Sequence, residues 1–396
     1  RKEAERKEAE RKEAERKDEL ARELTGTTKD SPGSQMEQES SVDQDSSRLQ
    51  PVPAPIKAQH FRIIVVGGGN AAGYICRELV QNGVGEGEVA VLTNEPVAPY
   101  ERPALTKAYL HPPGSAIRAR LPAFHTCAGV GGEPQTPAWY AEKGITFLSG
   151  TATGLDVKAK AVEAVAIAQK ERYTYDKLVL ATGAKAERMS VPGNDLQGVF
   201  HVRNEQHAAG LVKALEEMLG KSQSAAGANK KKKEVAIVGG GYLSCEVAAA
   251  VVGWGFGVTM VTPYKHLGPK VLKGQLAYIY EDMLRARGIK MAKLARVVAF
   301  EGTKEGVLQK ARLNTGKFLN CGLAVIGIGS FPSTDFVVKD SSAREQPAEA
   351  KGDKFVASTD YCSGLDLDES KAVLVDGMMR TSAQDVWAVG DMVSFP

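Results

Sequence analysis

The sequence predicts an α/β protein with two doubly wound modules of parallel sheet, and three observations carry the prediction. An apolar run at residues 63–66 meets Gly67, Gly68 and Gly69 and then a helix-like segment, residues 71–81. The same order recurs at residues 234–246, where an apolar run meets Gly239, Gly240 and Gly241 and a second helix-like stretch. Each unit is followed by another strand-like run, residues 88–93 in the first and 257–262 in the second. Strand, glycine corner and helix in that order make a phosphate cradle. The glycines allow a tight turn and close backbone approach, and the helix N-terminus favours negative charge. Gly67-x-Gly69-x-x-Ala72 fits the dinucleotide fingerprint, and Gly239-x-Gly241-x-x-Ser244 fits with serine at the third position. One corner is weakly specific. Two in one chain point to two Rossmann-like dinucleotide-binding modules.

Length and composition set the frame. A chain of 396 residues holds two or three domains, and 43% apolar with 25% charged residues is ordinary for a globular protein. The net charge of +3 gives no reason to expect nucleic acid, and the basic run 230–233 reads as a solvated loop. No apolar run reaches the ~18 residues of a membrane span. The five cysteines are scattered with no C-x-x-C pair, which fits a reducing compartment rather than a disulfide scaffold.

Residues 1–57 read as a charged helix and a disordered linker. The repeat Arg-Lys-Glu-Ala-Glu places Glu3, Glu8 and Glu13 four residues before Lys7, Lys12 and Lys17, the favoured order, but offers no apolar stripe. Ser, Gln, Asp and Pro are frequent over residues 25–57. The first residue is Arg, so the expected natural start lies upstream. A cytoplasmic location is expected, with the chloroplast as the alternative if a transit peptide precedes.

A first nucleotide module is expected over residues 58–203. Glu95, at the end of its second strand, can accept the ribose hydroxyls of an adenosine. Residues 97–110 carry three prolines and read as a rigid loop leading into a short helix. In this loop Arg102 can clamp a phosphate and Lys107 can place a point charge. Residues 136–144 read as a helix with Pro137 near its start and Gly144 at its end. His125 reads as a structural histidine. Residues 145–151, 155–168 and 178–183 read as strands.

The second module is expected over residues 204–331, opening on a helix at 204–219. Its second strand ends Thr-Pro-Tyr264 with no acid, and Lys265, His266 and Lys270 follow. An acid there favours NADH, so its absence permits NADPH. Further strands are expected at 297–300, 308–314 and 323–329. Residues 332–396 return to the first module after a polar insertion at 339–370. A short strand at 386–389 ends in Gly390-Asp391.

Three motifs carry a closer resemblance. They are residues 97–107 (Val-Ala-Pro-Tyr-Glu-Arg-Pro-Ala-Leu-Thr-Lys), 119–127 (Ala-Arg-Leu-Pro-Ala-Phe-His-Thr-Cys) and 139–144 (Trp-Tyr-Ala-Glu-Lys-Gly). With the paired glycine corners and Gly390-Asp391, they resemble the monodehydroascorbate reductase family of two-dinucleotide flavoproteins, from about residue 60 to 396. The resemblance implies an NAD(P)H-dependent FAD oxidoreductase that returns monodehydroascorbate radicals to ascorbate. It implies FAD on Gly67, Gly68, Gly69, Asn70, Ala71 and Ala72, with Glu95, Arg102, Lys107, Thr153, Gly183, Arg203 and Asp391 further along. It implies NADH, with NADPH permitted, on Gly239, Gly240, Gly241, Tyr242, Leu243, Ser244 and Glu246, with Tyr264, Lys270 and Gly329. The flavin carries the chemistry, so no catalytic dyad or metal is expected. Lys107 and Glu246 are expected to pair beside the reactive ring. The partner is the small-molecule radical, with no nucleic acid and no membrane, and a monomer is the expected state. A ferredoxin- or rubredoxin-type reductase and a non-catalytic nucleotide-binding remnant are the alternatives. The family continues past Gly-Asp into a third domain that covers the flavin. This sequence stops five residues after Asp391, so either a fragment or an uncovered flavin is expected.

Overall fold

Buried β-branched residues build the first sheet. In the computed structural model, which describes residues 59–166, 169–223, 232–268, 272, 274–337 and 364–395, strand β1 (Gln59–Val66) is buried over its last four residues. It pairs in parallel with β2 (Val89–Thr93) on one side and β6 (Gln169–Leu180) on the other. Outside β2 lies β3 (Thr146–Ser149), and beyond β6 lie β5 (Ala161–Ala166) and β4 (Thr151–Asp156), both antiparallel. Helix α1 (Asn70–Gln81) connects β1 to β2, and α2 (Pro137–Glu142) precedes β3.

The second sheet is parallel throughout. It is formed by β8 (Val199–His201), β9 (Glu234–Val238), β10 (Gly257–Thr262), β11 (Ile289–Lys293) and β15 (Leu323–Ile326), in the order β11-β10-β9-β15-β8. Helices α3 (Glu205–Gln223), α4 (Tyr242–Val252) and α5 (Gln275–Ala286) cover it. A three-stranded antiparallel sheet of β12 (Val297–Gly302), β13 (Leu308–Leu313) and β14 (Phe318–Asn320) packs beside it. The exits of the two modules are tied together, because β7 (Ala184–Ala186) pairs with β16 (Ser330–Pro332). The chain then returns to the first sheet, where β18 (Val386–Ala388) pairs in parallel with β6. Residues 55–396 pack as one compact unit. Among the described residues no helix is long and apolar enough to cross a membrane.

Both strand–glycine–helix units form, and their corners have the same construction. Gly67 has φ +134° and Gly239 has φ +132°. A Cβ on Gly67 would stand 2.2 Å from the Ala181 carbonyl oxygen, at the exit of β6. A Cβ on Gly239 would stand 2.1 Å from the Gly327 carbonyl oxygen, at the exit of β15. Each corner therefore sits where strand order reverses, between β1 and β6 and between β9 and β15. Such switch points form crevices at the C-terminal ends of the strands.

Several expectations need correction. The strand read at 155–168 is two strands, β4 and β5, broken by a turn at which Lys160 takes φ +46°. Strand β6 begins well before residue 178. Its first eight residues are Gln-Lys-Glu-Arg-Tyr-Thr-Tyr-Asp, whose charges hide the alternation of buried Tyr173 and Tyr175. The 97–110 loop forms two short 3-10 turns, Arg102–Thr106 and Ala108–Leu110, in place of one helix. Segment 1–57, most of the 339–370 insertion, Lys270 and Cys362 lie outside the described residues.

The corners make a direct test. Gly239→Ala is expected to destabilise the protein by roughly 2–4 kcal/mol, through both its backbone angle and the clash with Gly327. Gly241→Ala, where a Cβ meets nothing within 4 Å, is expected to cost less than about 1 kcal/mol. Chemical denaturation of the two variants checks the contrast.

Candidate functional site

Helices α1 and α4 begin without side-chain caps. Their N-cap residues are Gly69 and Gly241, neither has an acidic residue in its first turn, and no side-chain cap bond is made. The first N–H groups of an α-helix have no partner within the helix. Two clusters of free donors, each reinforced by a helix dipole, thus open on one cleft of about 440 Å³. Asn70, Arg102, Lys107, Arg203 and Asp391 line it from the first module, and Tyr242, Leu243 and Glu246 from the second.

Glu95 anchors the first half from behind: it does not line the cleft, and its side chain is 9% exposed. Thr93, whose Oγ1 accepts the Glu95 N–H at 3.1 Å, fixes the backbone at the end of β2. The Glu95 carboxylate accepts the Tyr100 hydroxyl at 2.6 Å on Oε2 and the Arg102 guanidinium on Oε1. Arg102 also donates its backbone N–H to Asn70 Oδ1 at 3.0 Å and its side chain to the Arg203 carbonyl at 3.2 Å. The Arg203 guanidinium lies 3.7 Å from Asp391, which is 69% exposed. Such a long, solvated pair is weak. Burial and the Arg102 charge both push the Arg203 pKa down. Two neighbouring guanidiniums beside an uncapped helix leave a surplus of positive charge suited to a diphosphate.

A second cluster crosses the cleft. Lys107 Nζ lies 2.9 Å from Glu246 Oε1, and Thr106 Oγ1 donates to Glu246 Oε2 at 2.5 Å. Lys107 and Thr106 stand in the first module and Glu246 stands on α4, so both carboxylate oxygens are held from across the boundary. Half-buried Lys107, at 52% exposed, keeps its ammonium at the cleft mouth.

Gly69, Ala71 and Gly183 also line the cleft, and the other predicted residues take other places. Gly68 packs against the Thr93 side chain and Gly240 against that of Thr262, with Ala72 buried behind the first corner. Gly183, at φ +68°, lies under the Arg203 guanidinium, and Ala71 lies under Gly390. Ser244 is fully buried and donates to the Gly327 carbonyl at 3.1 Å, so it ties α4 to β15 and does not face the cleft. Gly329 packs against Glu187 outside the lining. Thr153 is also outside it, exposed at the irregular register of edge strand β4. His125 is buried with its ring on the Pro99 carbonyl at 3.3 Å, and burial pushes its pKa down, as suits a structural histidine. Tyr100 and Thr106 were not singled out by sequence. Both sit inside the 97–107 motif, and a hydroxyl beside Arg102 or Lys107 was the available signal.

The loop after β10 carries its own network. Tyr264 is 48% exposed, with its N–H toward Thr262 Oγ1 at 3.4 Å. His266 lies 3.4 Å from Glu281, a fully buried carboxylate that also accepts the Leu267 N–H at 3.0 Å, Lys293 at 2.8 Å and Arg285 at 2.9 Å. Burial opposes ionisation of Glu281, but these donors outweigh it and hold the carboxyl below its usual range.

Residues 61–396 match the family described as pyridine nucleotide-disulphide oxidoreductase. The chain belongs to that family. By membership in the pyridine nucleotide-disulphide oxidoreductases it is an FAD- and NAD(P)H-dependent oxidoreductase. It is 36% identical over 347 residues to "Monodehydroascorbate reductase, chloroplastic/mitochondrial" of Arabidopsis thaliana, a match covering 87% of this chain and 62% of that protein. It is 35% identical to "Monodehydroascorbate reductase" of Solanum lycopersicum, over 85% of this chain and 69% of that one. Relatives of that name carry cytosolic, chloroplastic and peroxisomal labels. The fold matches a ferredoxin reductase from Rhodopseudomonas palustris at TM-score 0.64 and 22% identity, over 84% of this chain and 69% of that one. The family's cofactors fit the cleft. The two uncapped helix starts, the open face of Gly241 and the neighbouring Arg102 and Arg203 offer donors and positive charge to phosphates.

Two outcomes follow from the site's electrostatics. Arg102→Ala is expected to weaken FAD binding by about tenfold or more, since it removes charge-assisted hydrogen bonds; flavin fluorescence titration measures this. Glu281, depressed below the ordinary Glu pKa of about 4.3, contributes stability above that pH and loses it as pH falls through the folded-state value. Glu281→Gln is therefore expected to flatten the acid limb of a stability-against-pH curve below about pH 5, at the cost of a lower plateau at neutral pH.

Proposed function

We propose that this chain carries electrons from NAD(P)H through FAD to the monodehydroascorbate radical, regenerating ascorbate. One nicotinamide nucleotide gives up two electrons as a hydride, and two radicals take one electron each. The observation that carries the reading is the Lys107–Glu246–Thr106 bridge, which joins the two corners at the mouth of one cleft. The relatives named monodehydroascorbate reductase, at 35–36% identity, support the choice of acceptor.

In this reading FAD supplies, when bound, the acceptance of a hydride and the release of single electrons. The residues supply position and charge. The α1 N-terminus, Arg102 and Arg203 would hold the diphosphate of FAD, with Glu95 placed to accept the adenosine ribose hydroxyls and Asp391 to accept ribityl hydroxyls. The α4 N-terminus with Tyr242 and Leu243 holds the diphosphate of the nicotinamide nucleotide. Lys107 sets a fixed positive charge where negative charge develops on reduction. Glu246, tied to Thr106 and Lys107, keeps that ammonium in place and is no free base. The end of β10 has no acid to repel a 2′-phosphate, so NADPH is accepted beside NADH. The protein acts on the small radical as a monomer without a membrane or nucleic-acid partner, in the cytoplasm.

The purified protein is expected to be yellow, and anaerobic NADH is expected to bleach its visible spectrum. Ascorbate radicals generated enzymatically are expected to restore the colour, and a ferredoxin is not. Lys107→Ala is expected to slow bleaching by about tenfold to a hundredfold. A flavin that NADH leaves oxidised would remove the proposal.

A further inference from the structure

We infer that Tyr100 is a positioning residue for FAD, which fixes the Glu95 carboxylate for the adenosine ribose by a hydrogen bond whose direction is forced. The inference rests on the reading that Glu95 takes that ribose. Tyr100 is fully buried. Its hydroxyl has three neighbours: the Glu205 N–H at 2.9 Å, the Arg102 guanidinium at 3.0 Å and Glu95 Oε2 at 2.6 Å. A backbone N–H and a guanidinium can only donate. A phenol has one proton and two lone pairs. Both lone pairs are therefore taken, and the single proton has one acceptor, Glu95. Burial pushes the phenol pKa well up, so the proton stays on the oxygen.

The ring cannot turn away from this task. Phe124 meets Tyr100 edge-on at 5.9 Å and Tyr109 edge-on at 5.8 Å. The Tyr109 hydroxyl donates to Glu205 Oε1 at 2.5 Å. The two tyrosines thus grip the first residue of α3 by its backbone and its side chain, and Phe124 stands between them. This gives a role to Phe124 in the 119–127 motif, which otherwise touches neither corner. Only Tyr100 of the pair reaches Glu95. A carboxylate pinned on Oε2 by Tyr100 and on Oε1 by Arg102 has only its remaining lone pairs to offer the ribose, and it loses no rotamer freedom when the cofactor arrives.

The test uses the whole chain freed of flavin, titrated with FAD and with a flavin dinucleotide whose adenosine carries a 2′,3′-dideoxyribose. Tyr100→Phe keeps the ring and its packing. It is expected to weaken FAD binding by about tenfold and to leave the dideoxy analogue within about twofold of the parent. Tyr109→Phe loses the matching contact on α3 and is expected to bind both ligands as the parent does. Equal weakening for both flavins by Tyr100→Phe, an effect of Tyr109→Phe as large as that of Tyr100→Phe, or a Tyr100→Phe protein without the parent's melting transition would each overturn the inference, because each makes the hydroxyl merely structural. Glu95→Gln separates the underlying reading. If it keeps the parent's preference for FAD over the dideoxy analogue, Glu95 does not take the ribose. If it abolishes that preference and Tyr100→Phe does not reduce it, only the positioning role fails.

Discussion

The geometry of the cleft depends on one apolar core that ignores the boundary between the modules. Tyr100, Leu105, Tyr109, Leu110 and Phe124 belong to the first module by sequence. They are buried with Leu211 and Leu215 of α3, Val247 and Val251 of α4, and Trp254 just beyond it. The Trp254 indole N–H donates to the Leu110 carbonyl at 2.7 Å inside this core. Burying a large apolar side chain contributes about 1.5–3 kcal/mol, so these five together contribute on the order of 10 kcal/mol. That is comparable with the net stability of a whole domain. Contacts between domains are usually more polar and permit relative motion. Here the glycine corners are held at a fixed separation, and electron transfer between two bound rings needs such a separation.

Within that frame the two corners are near copies that differ in what surrounds them. In both, a threonine at the end of the second strand backs the middle glycine. A Cβ on Gly68 would meet Thr93 Oγ1 at 2.3 Å, and one on Gly240 would meet Thr262 Oγ1 at 2.7 Å. In both, the same oxygen receives an N–H two residues on, from Glu95 or from Tyr264. The divergence begins at those residues. Glu95 is held by Tyr100 and Arg102 in a charged, half-buried network, whereas Tyr264 is half exposed and ends no such network. The first site is thus pre-organised by many mutually satisfied polar groups. The second is left to the helix start and the Glu246 bridge. A tightly held cofactor and an exchanging coenzyme call for that asymmetry.

Legibility in the sequence followed the same division. The corners were readable because backbone geometry restricts the residues that fit: only glycine enters φ near +130° against a neighbouring carbonyl, so Gly67 and Gly239 announced themselves. The Lys107–Glu246 contact was readable as a pairing across the modules, though its third member, Thr106, was not. Ser244 misled, because its place in the fingerprint suggested a ligand contact while its hydroxyl turns inward to Gly327. Tyr100 was invisible for a different reason. Its importance lies in three partners that are 2, 5 and 105 positions away in the chain, and no local pattern encodes the farthest of them. Strand β6 was half missed because its polar residues face solvent, where the alternation of side chains carries the signal and overall apolar content does not.

The cysteines show how the chain divides labour with its cofactors. The family takes part of its name from a disulfide, yet the four described cysteines, Cys76, Cys127, Cys245 and Cys321, are free and buried. Burial pushes the thiols of Cys76 and Cys321 up to about 12 and that of Cys245 up to about 11. A thiol must become a thiolate to exchange with a disulfide, so these three are inert packing groups at neutral pH. Cys127 is shut in as well, with its sulfur accepting from Arg77 at 3.5 Å. Among the described residues, therefore, no thiol stands ready to take electrons onward, and the groups at the cleft mouth are an ammonium, a carboxylate bound on both oxygens and a hydroxyl. None of these stores an electron. Electrons leaving such a site therefore leave from the flavin itself, without a thiol relay among the described residues.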